Sequence, residues 1–586
     1  MTNERITTHI HEDRRKALME TRVQLLSMAP EKALGRILDF PQPAALIHAF
    51  PEEDLYFLIH KIGPQDALPL IALASGKQLE YMLDQEIWQR DRLDIDALAV
   101  WLEHFLRSDP SSDRMTQWLT TEKLDLIEFF LLKSIEVQLR EHDQDPSVFG
   151  PGFFSYDDVF YIRIIDRPTT EVPDQPSDQH ERLVKSLLDH LAEADHVKFQ
   201  AILMEASHAL SAEMEEDIYR QRNVRLAEKG FLPFEEAVGL YQPLNLKDFP
   251  HRAQRRQALP DERNYHLALV PMTVMPPDNL FSQALQTIDS AEHLDVIQEE
   301  FAALCNRIIV ADRQKIARRE TLAEIVQKAC GYLHIGLQRL QDQAANGKAP
   351  PQSAANDLGR YHLEGLFRLG YGAAMGLKQA AEEWVHRSWF ARRGLPLTFW
   401  GETWLGVLGG LLLKRPLFFD NYQTGRMYRE FAGREDIAWS TGQLEQVQIF
   451  DRLLEKLDPV FASPLKTGFL SYKNLLLTLW VRHRLSLPEE VRQITTQAFE
   501  PFFRELFQYD TVPLSDGRRR IDDALRADFL HWLADRTAHP AAELSASIGS
   551  SLEALFTELE EAYGRVRPDH IDPRYIRHFL LEPVTP

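Results

Sequence analysis

Prolines at positions 30, 41, 43, 51 and 64 cut residues 30–80 into short apolar runs: AALIHAF (44–50), LYFLIHKI (55–62) and ALPLIALA (67–74). Proline in a helix interior loses a hydrogen bond and clashes with the preceding turn, but it is tolerated at the first helical position. Each proline therefore marks where one helix has ended and another can begin. Acids follow Pro51 at Glu52, Glu53 and Asp54, where the positive end of a helix dipole favours them. Gly63 is placed to end that helix, and Pro64 to open the next. The pattern predicts helices of about two to three turns at a pitch of roughly 10–13 residues. Helices that short are unstable alone, so they must bury their faces on neighbours, as helical repeats do.

The same reading extends through LDQEIWQRD (83–91), DALAVWLEHFL (96–106) and KLDLIEFFLL (123–132). Leu98, Trp101, Leu102 and Phe105 keep helical i, i+3, i+4, i+7 spacing, and Trp88, Trp101 and Trp118 are expected to fill the core. Prolines and glycines crowd residues 141–180, which read as a linker. Within them, 156–165 fits either a short strand or a helix. A helical tract follows from near Glu181, with Leu183, Leu187, Leu188 and Leu191 on one face. YHLALVPMTVM (265–275) has strand-like character, and AANGKAPPQSAAND (344–357) reads as a second linker. Beyond it, Ser440-x-x-Gln443 and Ser550-x-x-Glu553 have the form of capping boxes ahead of the stripes Leu444/Val447/Phe450/Leu454 and Leu552/Leu555/Phe556/Leu559. The expected fold is all-α, mainly helical. A short-helix repeat superhelix (1–140) precedes helical domains at 181–343 and 358–586, with minor β structure at 156–165 and 265–275.

Composition narrows the function classes. The net charge is −22, and the first 150 residues hold 16 Lys and Arg against 26 Asp and Glu. Such a surface repels phosphate backbones, so no nucleic-acid partner is expected. The basic clusters at Arg252/Arg255/Arg256, Arg313/Lys315/Arg318/Arg319 and Arg518/Arg519/Arg520 read as solvated helix faces. Only two cysteines occur, Cys305 and Cys330, too few for a disulfide framework or a Cys-based zinc site. With a polar N-terminus lacking a signal-like apolar run, they suggest a cytoplasmic protein. The apolar stretch Leu395–Leu413 carries Glu402, Pro396 and four glycines. A central Glu is costly in a bilayer, so the stretch reads as a buried helix and no membrane span is expected.

Candidate chemistry is sparse. Glu-x-x-His places a carboxylate and an imidazole on one helical face, as in di-iron bundles. The pairs Glu193/His196, Glu205/His208 and Glu383/His386 have this spacing, and Asp248/His251 and Asp528/His531 are Asp versions. With 88 acids and 21 histidines in 586 residues, about three such pairs are expected by chance, so five carry little signal. The first two pairs lie twelve residues apart, a net rotation of about 120° on a straight helix, and meet only if the helix breaks. Gly370-x-Gly372-x-x-x-Gly376 resembles a dinucleotide fingerprint, but RYHLEGLFRL before it reads as helix where the chemistry needs a strand. His9, His11, Glu12 and Asp13 form an N-terminal cluster that reads as a solvated tail. No cofactor is expected.

The Pro-initiated short helices of 30–80 are similar to the acidic N-domain of MgtE-type magnesium transporters and to flagellar-switch superhelices. That resemblance implies a helical superhelix and carries neither a magnesium site nor transport. Through LDQEIWQRDRLD (83–94), EMEEDIYRQRNVRLAEKGFLPFEEAVGLY (213–241) and RYIRHFLLEP (574–583), the chain also resembles, over most of its length, an uncharacterised bacterial family with no assigned function. The resulting expectation is a non-enzymatic protein-interaction scaffold or regulator with protein partners. The alternative is a metal- or cofactor-dependent enzyme with a pocket between helices.

Overall fold

The fold is described from a computed structural model. It describes residues 21–582 except 23, 27, 90, 110–113, 143, 166–175, 207–210, 228, 230, 253–274, 278, 289, 315–318, 345–350, 462–469 and 510–516, and except some further side chains within helices. The chain forms two compact units. One runs to Leu333 and takes in Arg339–Arg368. The other comprises His334–Gln338 and the chain from Leu369. Both are mainly helical.

In the first unit the short helices are α1 (Pro30–Leu38), α2 (Pro43–His48), α3 (Glu52–Ile62), α4 (Leu68–Leu73), α5 (Gly76–Glu86), α6 (Ile95–Ser108), α7 (Arg114–Glu122) and α8 (Leu124–Ser134). Pro30 and Pro43 open helices as expected. Pro51 instead stands just outside α3 as its N-cap, and Pro64 opens a turn, with Pro69 in the first turn of α4. Gly63 ends α3 at φ +105°, a conformation that favours glycine, and its N–H bonds the Ile59 carbonyl at 2.8 Å. Asp54 does not simply face the dipole. It is fully buried and accepts a 2.8 Å bond from Arg22.

α1 packs on α3, α2 on α4, α3 on α5 and α4 on α6. Ser75 and Gln78 form a capping box at the start of α5, and the Gln78 amide reaches on to the Ile47 and Phe50 carbonyls at 2.8 and 2.9 Å. One buried side chain thus closes the end of α2 while starting α5. Leu98, Trp101, Leu102 and Phe105 of α6 are buried, as are Trp88 and Trp118.

A two-residue pair, β1 (Trp88–Gln89) and β2 (Arg92–Leu93), follows α5. Residues 135–164 hold a small antiparallel sheet, with β3 (Ile135–Leu139) and β4 (Phe154–Ser155) flanking β5 (Phe160–Ile164). The sequence at 156–165 therefore resolves as strand over its second half. Most of the other strand-like segment, 265–274, lies outside the described residues. Helices α9 (Pro176–Ala194), α10 (His196–Ala206), α11 (Ser211–Ala227), α12 (Leu280–Gln286), α13 (Ala291–Asp312), α14 (Arg319–Ala344) and α15 (Pro351–Arg360) follow. Residues 351–357, read from sequence as linker, are thus helical. Pro351 stands at the first position, where a missing N–H costs nothing, and Ala354, Ala355 and Leu358 are buried on α15, which packs on α12.

Helix α16 (Leu363–Arg387) runs on into the second unit, followed by α17 (Gly401–Leu411), the hairpin β6 (Phe418–Phe419) and β7 (Tyr428–Arg429), α18 (Arg434–Leu457), α19 (Tyr472–Arg484), α20 (Thr496–Leu506), α21 (Asp523–Thr537) and α22 (Ala541–Tyr563). Both expected capping boxes are corrected. Ser440 and Ser550 lie inside α18 and α22, whose N-caps are Gly433 and Pro540. Helix α18 starts upstream with the polar residues Arg434, Glu435 and Asp436, and α22 extends its apolar stripe back through the buried Leu544 and Ile548. The stripes themselves are buried as read. A true capping box starts α19, formed by Ser471 and Asn474.

No helix among the described residues is long and apolar enough to cross a membrane. The Leu395–Leu413 stretch resolves into a short 3-10 turn and α17. Its glycines have a packing purpose. A Cβ on Gly406 would lie 2.4 Å from the Phe419 ring, and one on Gly410 would lie 2.5 Å from the Leu417 carbonyl and 3.0 Å from Tyr428. The bare face of α17 therefore seats the β6–β7 hairpin, and Tyr428 adds a 3.1 Å hydroxyl bond to the Gly406 carbonyl. Gly410→Ala should cost about 1–3 kcal/mol through overpacking. Gly376→Ala, in a helix with nothing within 4 Å of the new methyl, should leave stability unchanged or raise it by up to about 1 kcal/mol. Urea denaturation of the two variants checks both signs.

Candidate functional site

The carboxylate–histidine pairs are spread apart. Glu193 and His196 fall on either side of the break between α9 and α10, where Asp195 caps α10 through a 3.1 Å bond from the Lys198 N–H. Both are exposed. His196 stacks beside Phe199 and lies 3.9 Å from Asp157. The Glu205 side chain and His208 lie outside the described residues, as do His9, His11, Glu12, Asp13 and the His251 side chain. Glu383 and His386 are exposed near the end of α16. Asp528 is taken up by Trp480 Nε1 at 2.9 Å and Arg484 at 3.3 Å. Among the described residues no group of three His, Cys, Asp or Glu side chains is placed to hold a metal. Gly370, Gly372 and Gly376 sit inside the continuous helix α16, so the strand–turn–helix of a dinucleotide site is absent at that motif. Cys305 and Cys330 are free and buried, and burial pushes the Cys330 thiol up to about 12, far from a reactive thiolate.

Two stretches marked by their resemblance meet in the first unit. Helix α11, from EMEEDIYRQRNVRLA, lies on α8 and along the segment LDQEIWQRDRL. Its contact residues, Glu215, Tyr219, Arg222 and Arg225, recur every three or four positions and so share one face. Glu215 accepts the Leu93 N–H at 2.7 Å. Tyr219 packs 5.4 Å from the Trp88 ring, and Arg222 lies 5.3 Å over that ring while bonding the Asp84 carbonyl at 2.8 Å. Arg225 grips the buried Asp84 carboxylate with two bonds of 2.8 and 2.9 Å, and lies 3.2 Å from Glu80. Just past the helix, Lys229 pairs with Glu52 at 2.8 Å and Glu53 at 3.0 Å on α3. Burial works against the Lys229 charge, but Glu53 and Glu52 outweigh it and raise its pKa.

This seam bounds a small cleft between α5, α11 and the junction of α7 with α8. Lys123 bonds Glu80 across its floor, and Trp118 Nε1 donates to Glu122 at 3.1 Å. Trp88 forms one wall. Truncating Arg225 to Ala should destabilise the protein by about 2–3 kcal/mol, because it leaves the Asp84 carboxylate buried without its partner. Denaturant melts of the variant against wild type test this.

The third marked stretch, RYIRHFLLEP, is tied down in the second unit. Tyr563 Oη accepts the N–H groups of Arg577 and His578 at 2.9 and 3.2 Å, which uses both its lone pairs. Its own proton therefore goes to His578 Nδ1 at 2.8 Å, and the network assigns the imidazole proton to Nε2, 2.9 Å from Glu558. Lys473 holds the other Glu558 oxygen. The His578 bond, helped by Lys473, outweighs burial and holds the Glu558 carboxyl down at about 2. The Leu580 N–H bonds Thr478 Oγ1 at 2.9 Å, and Ile494 exchanges backbone bonds with Leu580 and Glu582 at 2.8 and 2.9 Å. A carboxyl depressed on folding stabilises fully above its ordinary value of 4.5 and loses that contribution as pH falls towards about 2. Glu558→Gln should therefore cost about 1 kcal/mol near neutral pH, after discounting for the exposure of Glu558. Thermal melts should show the gap to wild type narrowing between about pH 5 and pH 3.

A different surface stands on the β6–β7 hairpin. Asp420, almost fully buried, accepts the Thr424 N–H at 2.7 Å, the Thr424 hydroxyl at 2.9 Å and Arg429 Nε at 2.8 Å. Arg429 also grips Asp436 with bonds of 2.6 and 2.9 Å. These bonds hold Asn421 and Tyr422 at φ +47° and +62°, a strained setting for a bulky residue that costs about 1–3 kcal/mol. The result presents Tyr422 65% exposed, with Leu413 and Met427 each 43% and Trp439 39% exposed on the same region of chain. The sequence reading missed this surface. The turn-rich run DNYQTG (420–425) was its signal.

No curated protein and no solved structure matches the chain, so the likeness of 30–80 to a transporter N-domain has no match behind it. The profile of a family of unknown function, DUF6178, matches residues 11–582, which takes in the first two marked stretches and all but the last residue of the third. The chain belongs to that family.

Proposed function

We propose that the protein is a non-enzymatic scaffold or regulator of the cytoplasm that works by binding other proteins. The observation that carries the reading is the hairpin of the second unit. Tyr, Trp and Met are the residue types enriched in the energetic centres of protein interfaces. Three of them stand exposed near one loop, and that loop is stiffened by a buried carboxylate and a bridging arginine. Stiffening matters because a preorganised surface loses less entropy on binding. The short-helix layers of the first unit support the same reading, since stacked helices present long surfaces suited to protein partners.

Quantitative affinity capture from lysate of the native host tests the proposal. The double variant Tyr422→Asp/Met427→Asp changes exposed positions, and Asp tolerates the left-handed backbone at 422. Wild type should enrich a discrete partner over a charge-matched control protein, and the variant, with an unchanged melting temperature, should lose most of it. Enrichment of nothing by wild type, or equal capture by both proteins, would contradict the proposal.

A further inference from the structure

We propose that the second unit carries a peptide-docking groove, filled here by the chain's own residues 576–582, and that an extended segment of a partner protein with the same side-chain pattern competes for it. Residues 576–582 form no helix. They are held as docked peptides are held, by capture of the backbone and by side-chain anchors. Tyr563 Oη accepts the Arg577 and His578 N–H groups, and Thr478 Oγ1 accepts that of Leu580. Ile494 donates to the Leu580 carbonyl and accepts from the Glu582 N–H, the two bonds of a parallel bridge. Tyr563 and Thr478 are buried on two different helices, α22 and α19, so the unit itself fixes both acceptors. The main anchor is Phe579, 2% exposed, whose ring lies 4.9 Å from Phe499 and 6.3 Å from Phe502 on α20. Ile576 and Leu581 are buried as well, while Arg577 and Glu582 stay exposed. The groove therefore selects an aliphatic residue, an aromatic three positions on and an aliphatic two beyond that.

The segment also has a way out. Residues 569–575, which lead into it, are exposed or half-buried, and Tyr575 is 72% exposed. Within them Asp572 and Arg574 bond each other, so this stretch closes on itself. It can act as a hinge on which the segment lifts off without any helix unfolding. A short tether holds the closed segment at an effective concentration of about 1 mM, so a free competitor gains most once the contact within the chain is loosened. The groove shares no residue with the β6–β7 hairpin, and its test needs no lysate, so it stands or falls separately from the reading above.

Two measurements on the full-length protein test the inference. In native-state hydrogen exchange, the amides of Arg577, His578, Leu580, Glu582 and Ile494 should open together, about a hundredfold more often than those of residues 475–481 in α19. Fluorescence anisotropy then follows a labelled synthetic peptide, RYIRHFLLEP (574–583). It should bind the Phe579→Ala protein with a Kd of about 100 µM or tighter, and wild type about tenfold more weakly, because the wild-type segment competes from within the chain. The same peptide carrying Phe579→Ala should bind about tenfold more weakly than its parent. Should the Phe579→Ala protein lack a cooperative melt, His578→Ala, which removes the side-chain bonds to Tyr563 and Glu558, takes its place. Exchange of the segment amides as slow as that of α19, no binding of the peptide to the loosened protein, or equal binding of the peptide and its alanine form would each overturn the proposal.

Discussion

The grip of Arg225 on the Asp84 carboxylate fixes the first unit. Asp84 is buried on α5, and a buried carboxylate without a partner is strongly destabilising. Its partner comes from a helix 141 residues further along the chain. The neighbouring contacts on α11 and just past its end follow the same logic. Arg222 meets a carbonyl and an aromatic ring, Glu215 meets a backbone N–H, and Lys229 meets two carboxylates. A slide of α11 by one turn would misplace each of these groups together. Apolar faces tolerate such slips more readily, because dispersion and area are nearly indifferent to register, whereas a bidentate guanidinium is not. The seam that sets the register of α11 also forms the walls of the cleft.

The second unit depends on a different constraint, the absence of side chains. Gly406, Gly409 and Gly410 leave one side of α17 bare, and Phe419 and Tyr428 fill it. A stretch that reads as nearly membrane-like by hydropathy is therefore a seat for an aromatic hairpin. Phe419 and Tyr428 are consumed in that seat, Asp420 and Arg429 in stiffening the loop, and Phe418 is buried against Phe431, which leaves Tyr422 and Met427 as the exposed large side chains of the hairpin. Stability on one side of the hairpin is thus linked to presentation on the other.

The sequence disclosed what depends on local rules. Proline and glycine placed α1 to α4 to within a few residues, and leucine stripes identified the buried faces of α6, α18 and α22. Three kinds of feature were hidden. The inward face of α11 is polar, so periodicity shows no apolar stripe, and only the pairing with Asp84 gives the charges meaning. The capping boxes at Ser440 and Ser550 matched a short pattern that also arises in helix interiors, and burial of Ser440 on α18 shows how little that pattern specifies. The carboxylate–histidine pairs satisfied helical spacing, but a site needs partner helices, and Glu193 and His196 are separated by a helix break that no pattern announces. Trp88 was legible as a core residue, while the cleft it walls is a property of tertiary structure alone.

A double-mutant cycle between Asp84 and Arg225, with Asp84→Asn, Arg225→Gln and the double variant measured by urea denaturation, tests the central claim most directly. The account predicts a coupling energy of about 2 kcal/mol, with the double variant more stable than the sum of the single losses implies. A coupling within about 0.5 kcal/mol of zero would contradict it, and would mean that α11 is held by packing with its charges as bystanders.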